Sequence, residues 1–437
     1  MIGSGGRLAA TGPERIGRVH HRVDRSRRAR RRARPSRARR GDARPALATA
    51  DRLVPPGRVM SAPSRPAGRS ADPDELLVPI SLELSPIRRL LIIDVADDPT
   101  YRTLEPQVLA EAGGDVLVLL AYRHDGHVEL YAPSGHDLDP SGYDGLGEGL
   151  RGLHQASFEL ARFEVDDDGL QLELALAAPD DRRFDLRIHE HLAGRRDRFG
   201  VLAPVGGAFD APAFFPFLWL PGMSFVPVRD TEVEVRVDGQ ARSIPRLPLP
   251  VGGRRCLMAR YDPDVLVCQL NPDSVRVAPR VAVGGAPRPA GADVDIVEVD
   301  DGFGIAALRV GRGAHTCAAR LDPPLPDPRS LPVRAHRSGA ILLDADDVTQ
   351  LRGRYELTRA DDRVELVIGS FGPWRTRLRR SLLALLFRLP IFRRWPTTYR
   401  WQATLELSGT PRYRLTSRWA RRPARSRRAG GSPERRA

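Results

Sequence analysis

The chain has no lysine: all 69 basic residues among its 437 are arginine, and the formal net charge is +14. It has only three cysteines, Cys256, Cys268 and Cys317. That odd number, without zinc-ligand spacing, is what a reduced cytoplasmic chain with small buried thiols shows. No apolar h-region with a small-residue cleavage site follows the basic N-terminal stretch, and no apolar run reaches transmembrane length. A Gly-x-Ser-x-Gly elbow, a His-Glu-x-x-His helix and a phosphate loop are also missing. Their absence removes the commonest hydrolase and kinase readings, but not an enzyme whose site is assembled from single residues on several strands.

The positive charge belongs to the ends. From Met1 to Arg58 seventeen arginines face only Glu14, Asp24, Asp42 and Asp51, and from Ala420 to Ala437 seven face only Glu434. The ends thus carry +13 and +6, and the body between them −5. Their arginines stand among Ala, Pro, Ser and Gly, without aromatics for stacking or a helix to enter a groove. Disorder is therefore predicted for 1–75 and 420–437, and nucleic acid is not expected as a partner. Arginine in place of every lysine is the mark of a GC-rich coding sequence, which makes Met60 a candidate start and the residues before it translated upstream sequence.

The body reads as mainly β. Leu76–Leu84 and Ile87–Val95 are predicted strands, Leu104–Ala112 a short helix stopped by Gly113-Gly114, and the turn His124-Asp-Gly-His127 joins two further strands. Gly147-x-Gly149-x-x-Gly152 matches a dinucleotide pattern as a string, but a loop precedes it and a strand follows it, so no nucleotide site is expected. A hairpin over Tyr261–Asp264, with an odd loop, sets Cys256 opposite Cys268. The domains expected are 76–283, a first β domain, and 293–419, the remaining strands with a capping helix; a Gly/Pro/Ala linker runs over 284–292, and the proline-rich Leu321–Pro332 is the best internal boundary. Within Arg375–Arg394, leucines at 378, 382, 383, 385 and 386 with Phe387 predict one amphipathic helix, broken before Pro390, that covers an open barrel end or lies on a membrane surface.

The centre of the chain is Leu153–Gly239, with the clearest alternation and the densest aromatic cluster. Leu170, Leu172, Leu174 and Leu176 follow the turn Asp166–Gly169, and Phe184, Leu186 and Ile188 continue the period of two. Glu190 falls in that apolar phase. A buried carboxylic acid keeps its proton, as an enzyme needs in order to protonate a carbon–carbon double bond, so Glu190 is the candidate catalytic residue. His189 and His191 share the opposite face, but two imidazoles beside Arg187 do not complete a metal site. No metal or cofactor is expected, and the two histidines are kept as ligand-binding candidates. Phe214, Phe215, Phe217 and Trp219, punctuated by Pro216 and Pro221, predict a bent segment lining an apolar pocket.

This run of hairpins from Leu76 to Trp419, with a Trp219-containing aromatic strand near its middle, resembles the lipocalin-like family of tandem β-barrels that includes the carotenoid hydratases. The resemblance implies one large or two tandem barrels or sandwiches, an apolar cavity, and carriage of, or acid-assisted hydration or isomerisation of, an isoprenoid or lipid-like small molecule. Two other classes stay open: a carbohydrate-binding or carbohydrate-active β-sandwich using Trp374, Trp395 and Trp401 as platforms, and a membrane-surface protein using Arg375–Arg394.

Overall fold

The computed structural model describes residues 75–421, except 137, 144–145, 192–196, 205–209, 285–290, 301, 375–386 and 409–411. The expectations for both arginine-rich ends and for the leucines at 378–386 lie outside the described residues.

Period-two alternation builds most of the strands. Leu172, Leu174 and Leu176 stand opposite Ile188, Leu186 and Phe184 in the antiparallel pair Leu170–Ala177 and Arg183–Glu190, and all six are buried. Such cross-strand apolar pairs are the unit from which sheets gain stability. Among the described residues two large sheets result, of fourteen and nine strands, beside a two-stranded one of Glu75–Leu77 and Arg280–Ala282. The larger runs from Gln240–Ala241 at one edge, through Thr231–Val237, Arg183–Glu190, Leu170–Ala177, Leu150–Val165, Val128–Pro133, Gly114–Arg123, Tyr101–Glu111, Ile87–Asp94, Cys256–Asp262, Phe215–Pro227 and Leu266–Leu270, to Leu82–Leu84. The smaller runs from Val275–Val277, through Arg414–Arg421 and Tyr399–Glu406, back to Asp293–Val299. The described residues all fall in one compact unit.

The expected mainly-β class with a short C-terminal helix, Pro390–Arg394, is what the chain adopts, but among the described residues no sheet closes into a barrel. The edge strands are two or three residues long at three of the four ends, too short a ladder to join across a gap. Among the described residues one pairing is parallel, Val128–Pro133 with Leu150–Val165. Parallel neighbours need a crossover, here residues 134–149 with the short helical turn Pro140–Tyr143, which lies over the sheet.

Three expectations are corrected. The predicted helix at Leu104–Ala112 is the strand Tyr101–Glu111, because pairing with neighbours on both sides overrides local helix propensity, and Ala112-Gly113 is a hairpin turn into the strand that begins at Gly114 rather than a helix stop. Cys256 and Cys268 do not face each other. Their strands flank Phe215–Pro227, with Cys256 opposite Pro227 and Cys268 opposite Phe217. Leu321–Pro332 is no linker at its start, since Leu321–Pro326 completes the strand His315–Pro326, and Leu321 and Leu325 are buried in the core.

The glycine-rich string has a packing cause. Gly147 has φ +56°, and a Cβ there would stand 2.2 Å from the Gly126 carbonyl oxygen, while the Glu148 N–H donates to that same oxygen at 2.8 Å. Two turns are pressed backbone to backbone, which only glycine permits.

Candidate functional site: a cavity with a buried acid

Five adjacent strands of the larger sheet, Gly114–Arg123, Tyr101–Glu111, Ile87–Asp94, Cys256–Asp262 and Phe215–Pro227, put one phase of their side chains into a core and the other into a cavity of about 900 Å³. Leu91, Ile93, Leu104, Leu119 and Ala259 face the core. Ile92, Asp94, Thr103, Glu105, Gln107, Tyr122 and Arg260 face the cavity. Leu138, Tyr143 and Leu146 of the crossover, and Phe387 and Phe392 near the C-terminal helix, complete its wall. That volume suits a drug-sized or lipid-sized molecule.

Phe215–Pro227 supplies much of the apolar wall, and it does so through a change of phase. Pro216, Leu218 and Leu220 line the cavity, and after Pro221-Gly222 the lining residues become Met223 and Phe225. The partner strand Phe199–Leu202 pairs Val201 with Leu220 but Phe199 with Met223, so three steps on one strand match two on the other. This bulge keeps both halves of the strand aimed into the same space. It is held by Asp262, whose Oδ2 accepts the Gly222 N–H at 2.8 Å and whose Oδ1 accepts the Asp264 N–H at 2.8 Å. Burial pushes the Asp262 carboxyl up to about 6, against the pull of those two backbone bonds.

Glu105 is the chemical centre of the cavity. It is buried on the strand Tyr101–Glu111, and its Oε1 accepts the side-chain amide of Gln107 at 2.8 Å. Burial pushes its pKa up to about 7, while hydrogen bonds from Gln107 and Tyr122 and the charge of Arg260 pull the other way. Tyr122 is itself pushed well above the ordinary phenol range by burial and then by Glu105, so it stays a proton-bearing donor. Beside them Arg260 reaches both oxygens of Asp94 at 3.3 Å, and Thr103 Oγ1 donates to Asp94 at 3.4 Å. A carboxyl group with a pKa near neutrality in a largely apolar chamber is equipped for general acid and base work.

The residues singled out from the sequence divide. Phe214 lines the cavity. Phe215 and Phe217 do not: they occupy the opposite phase, where Phe215 stacks on Phe371 at 4.8 Å and meets Tyr399 edge-on at 5.0 Å. Trp219 also faces away, its Nε1 donating to Asp346 at 3.1 Å. Glu190 is buried, as its phase requires, but in the other core. There its Oε2 accepts the Tyr261 hydroxyl at 2.9 Å and the Leu170 N–H at 3.0 Å, and it does not line the cavity. His191 is exposed and His189 half-buried, 3.7 Å from Glu232 and 3.4 Å from Glu173 respectively, and neither lines the cavity. Among the described residues no cluster of three or more His, Cys, Asp or Glu forms a metal site.

Glu105, Gln107, Tyr122 and Arg260 escaped the sequence reading. The signal was Thr103-x-Glu105-x-Gln107, alternating with buried Leu104 and Val108, and the helical reading of that stretch concealed it.

Fold and site define a mainly-β protein of two open sheets with a largely apolar cavity and a buried, titratable acid. Comparison with protein-family models, curated proteins and solved structures finds no match in any of the three.

Proposed function

We propose that this protein binds a hydrophobic, isoprenoid or lipid-like small molecule in the 900 Å³ cavity and converts it with Glu105 as proton donor, in a hydration or isomerisation. The observation that carries this reading is Glu105 itself, a carboxyl buried in an apolar chamber with its pKa near 7. In a hydration, Glu105 gives its proton to one carbon of a double bond and water adds to the other. The water's surplus proton then returns to the carboxylate, so the acid is regenerated and no cofactor is consumed. In an isomerisation the intermediate instead loses a proton from a neighbouring carbon to the Glu105 carboxylate, which again regenerates the acid. Three free, buried cysteines suit a reducing, cytoplasmic compartment.

Purified protein analysed by native mass spectrometry and solvent extraction should release a hydrophobic molecule. Glu105→Gln should still bind that molecule and fail to turn it over, since it keeps the shape and loses the proton. Protein that is always empty, or a Gln variant with full turnover, would contradict the proposal.

The carbohydrate reading draws no support from its three tryptophans, because Trp374, Trp395 and Trp401 are all buried. A membrane-surface role has one supporting observation: Leu389 and Ile391 are 47% and 67% exposed beside Arg393 and Arg394. Among the described residues no helix is long and apolar enough to cross a membrane. Pelleting with anionic liposomes, abolished by Ile391→Asp, tests that role.

A further inference from the structure

The polar groups of the cavity are gathered on the sheet floor, and their hydrogen-bonding capacity is unbalanced. Asp94 is engaged by Arg260 and Thr103, and Glu105 by Gln107 and Tyr122. The donors are in surplus. Arg260 uses only Nη1, in a fork of two 3.3 Å contacts, longer than the 2.7–2.9 Å usual for a charge-assisted bond, so its Nε and Nη2 remain available. Arg102 is the second source. The register of Tyr101–Glu111 against Gly114–Arg123 shifts between Tyr101 and Thr103, so Arg102 is the extra residue of a bulge, exposed on the cavity wall. Among the described residues its guanidinium makes no ion pair. Bulges re-aim side chains, and this one turns toward the cavity an arginine that regular alternation would send to the other face.

Asp139, exposed on the crossover, is the remaining charged residue of the lining. Glu105 stays protonated up to about pH 7 and therefore presents a donor rather than a charge. Two arginines with unused N–H groups, a carboxylic acid and a phenol thus converge on a chamber whose other walls, Leu218, Leu220, Met223 and Phe225, are apolar. Guanidinium forks match the planar or tetrahedral oxygens of carboxylate and phosphate.

We infer that the cavity's ligand is an amphiphile with an anionic head, a carboxylate or phosphate monoester, received by Arg102 and Arg260, with its hydrocarbon chain against Leu218, Leu220, Met223 and Phe225. This rests on the reading of the cavity as a hydrophobic-ligand site and narrows it to a charged-headed class. Arg102 is the residue that sets the preference.

The test is competition, on the full-length protein at pH 6.5, between a fluorescent fatty-acid analogue and four probes: dodecanoate, dodecyl phosphate, dodecanol and inorganic phosphate. The expected result is that dodecanoate or dodecyl phosphate displaces the analogue at least tenfold better than dodecanol, that the better of the two identifies the head, and that inorganic phosphate displaces nothing. Arg102→Gln, at an exposed position, should fold normally and bring the anionic probes down to the affinity of the alcohol. Equal displacement by dodecanol and the anionic probes, or an unchanged preference in Arg102→Gln, overturns the anionic head while the hydrophobic-ligand reading stands. Failure of the analogue and of every long-chain probe to bind overturns the reading beneath it.

Discussion

Tyr261 donates its hydroxyl to Glu190 at 2.9 Å, joining the last residue of Arg183–Glu190 to the strand Cys256–Asp262 across a buried core. Glu190 also closes the Asp166–Gly169 turn by accepting the Leu170 N–H. The carboxylate is a structural clasp. Tyr261→Phe leaves a buried acceptor short of one donor, so it should cost about 1–3 kcal/mol in urea unfolding while leaving ligand binding intact. A loss of binding without a loss of stability would return Glu190 to the functional site.

Glu105 makes stability depend on pH with a definite sign. Unfolded, the group titrates near 4.5; folded, near 7. Between those values the folded chain holds a proton that the unfolded chain has released, so stability falls as pH rises through the window and is level on either side. The loss above pH 7 amounts to about 3 kcal/mol at 1.36 kcal/mol per unit. Asp262, raised to about 6, adds a loss of the same sign over a lower window. Glu105→Gln should remove only the first part. Denaturation curves at pH 4.5 and pH 8 should therefore show a smaller drop in the variant, by about 3 kcal/mol. Parallel behaviour of the two proteins would mean that Glu105 is not buried as described.

Asp262→Ala strips the acceptor from the N–H groups of Gly222 and Asp264. The expected cost is about 1–3 kcal/mol. Because the Gly222 bond holds the bulge that aims both Leu220 and Met223 at the cavity, ligand affinity should fall as well. Asp262→Asn keeps one of the two oxygen acceptors and sets its amide N–H against the other backbone donor, so it should recover only part of the loss, as equilibrium unfolding and a binding titration would show.

Gly147→Ala tests the packing account of the glycine string. A methyl group 2.2 Å from the Gly126 oxygen, on a backbone with φ +56°, should cost more than the roughly 1 kcal/mol typical of a lost left-handed glycine, without changing the response to added nucleotide. Thermal melts of the variant with and without nucleotide check both halves.

Period-two alternation made the hairpins legible. Leu170–Ala177 and Arg183–Glu190 stand where the pattern puts them, and the burial of Glu190 followed from its phase. What the phase does not carry is which interior a strand faces. Glu190 and Glu105 are both buried acids, one in the apolar phase of its strand and the other in a polar phase, and only the arrangement of fourteen strands separates the clasp from the cavity. Phe215 and Phe217 show the same limit, since aromatic density marked the strand correctly while the smaller Pro216, Leu218 and Leu220 line the cavity. Cys256 and Cys268 show a third. A three-residue connection looks like a hairpin until a strand from forty residues earlier is laid between its arms, and no local signal announces that insertion.

The change of phase at Pro221-Gly222 divides the labour along a single strand. On its N-terminal half, Phe215 is anchored in aromatic stacking against Phe371 and Trp395 and Phe217 is buried in the core, while Leu218 and Leu220 line the cavity. Replacements at the odd positions are paid for in folding. Those at the even positions reshape the chamber, most freely at the half-buried Leu218. A lineage carrying this strand can therefore change what it holds one alternate letter at a time, exploring new cargo without renegotiating the scaffold. A single-residue insertion or deletion in the same stretch would exchange the two roles at once and forfeit both.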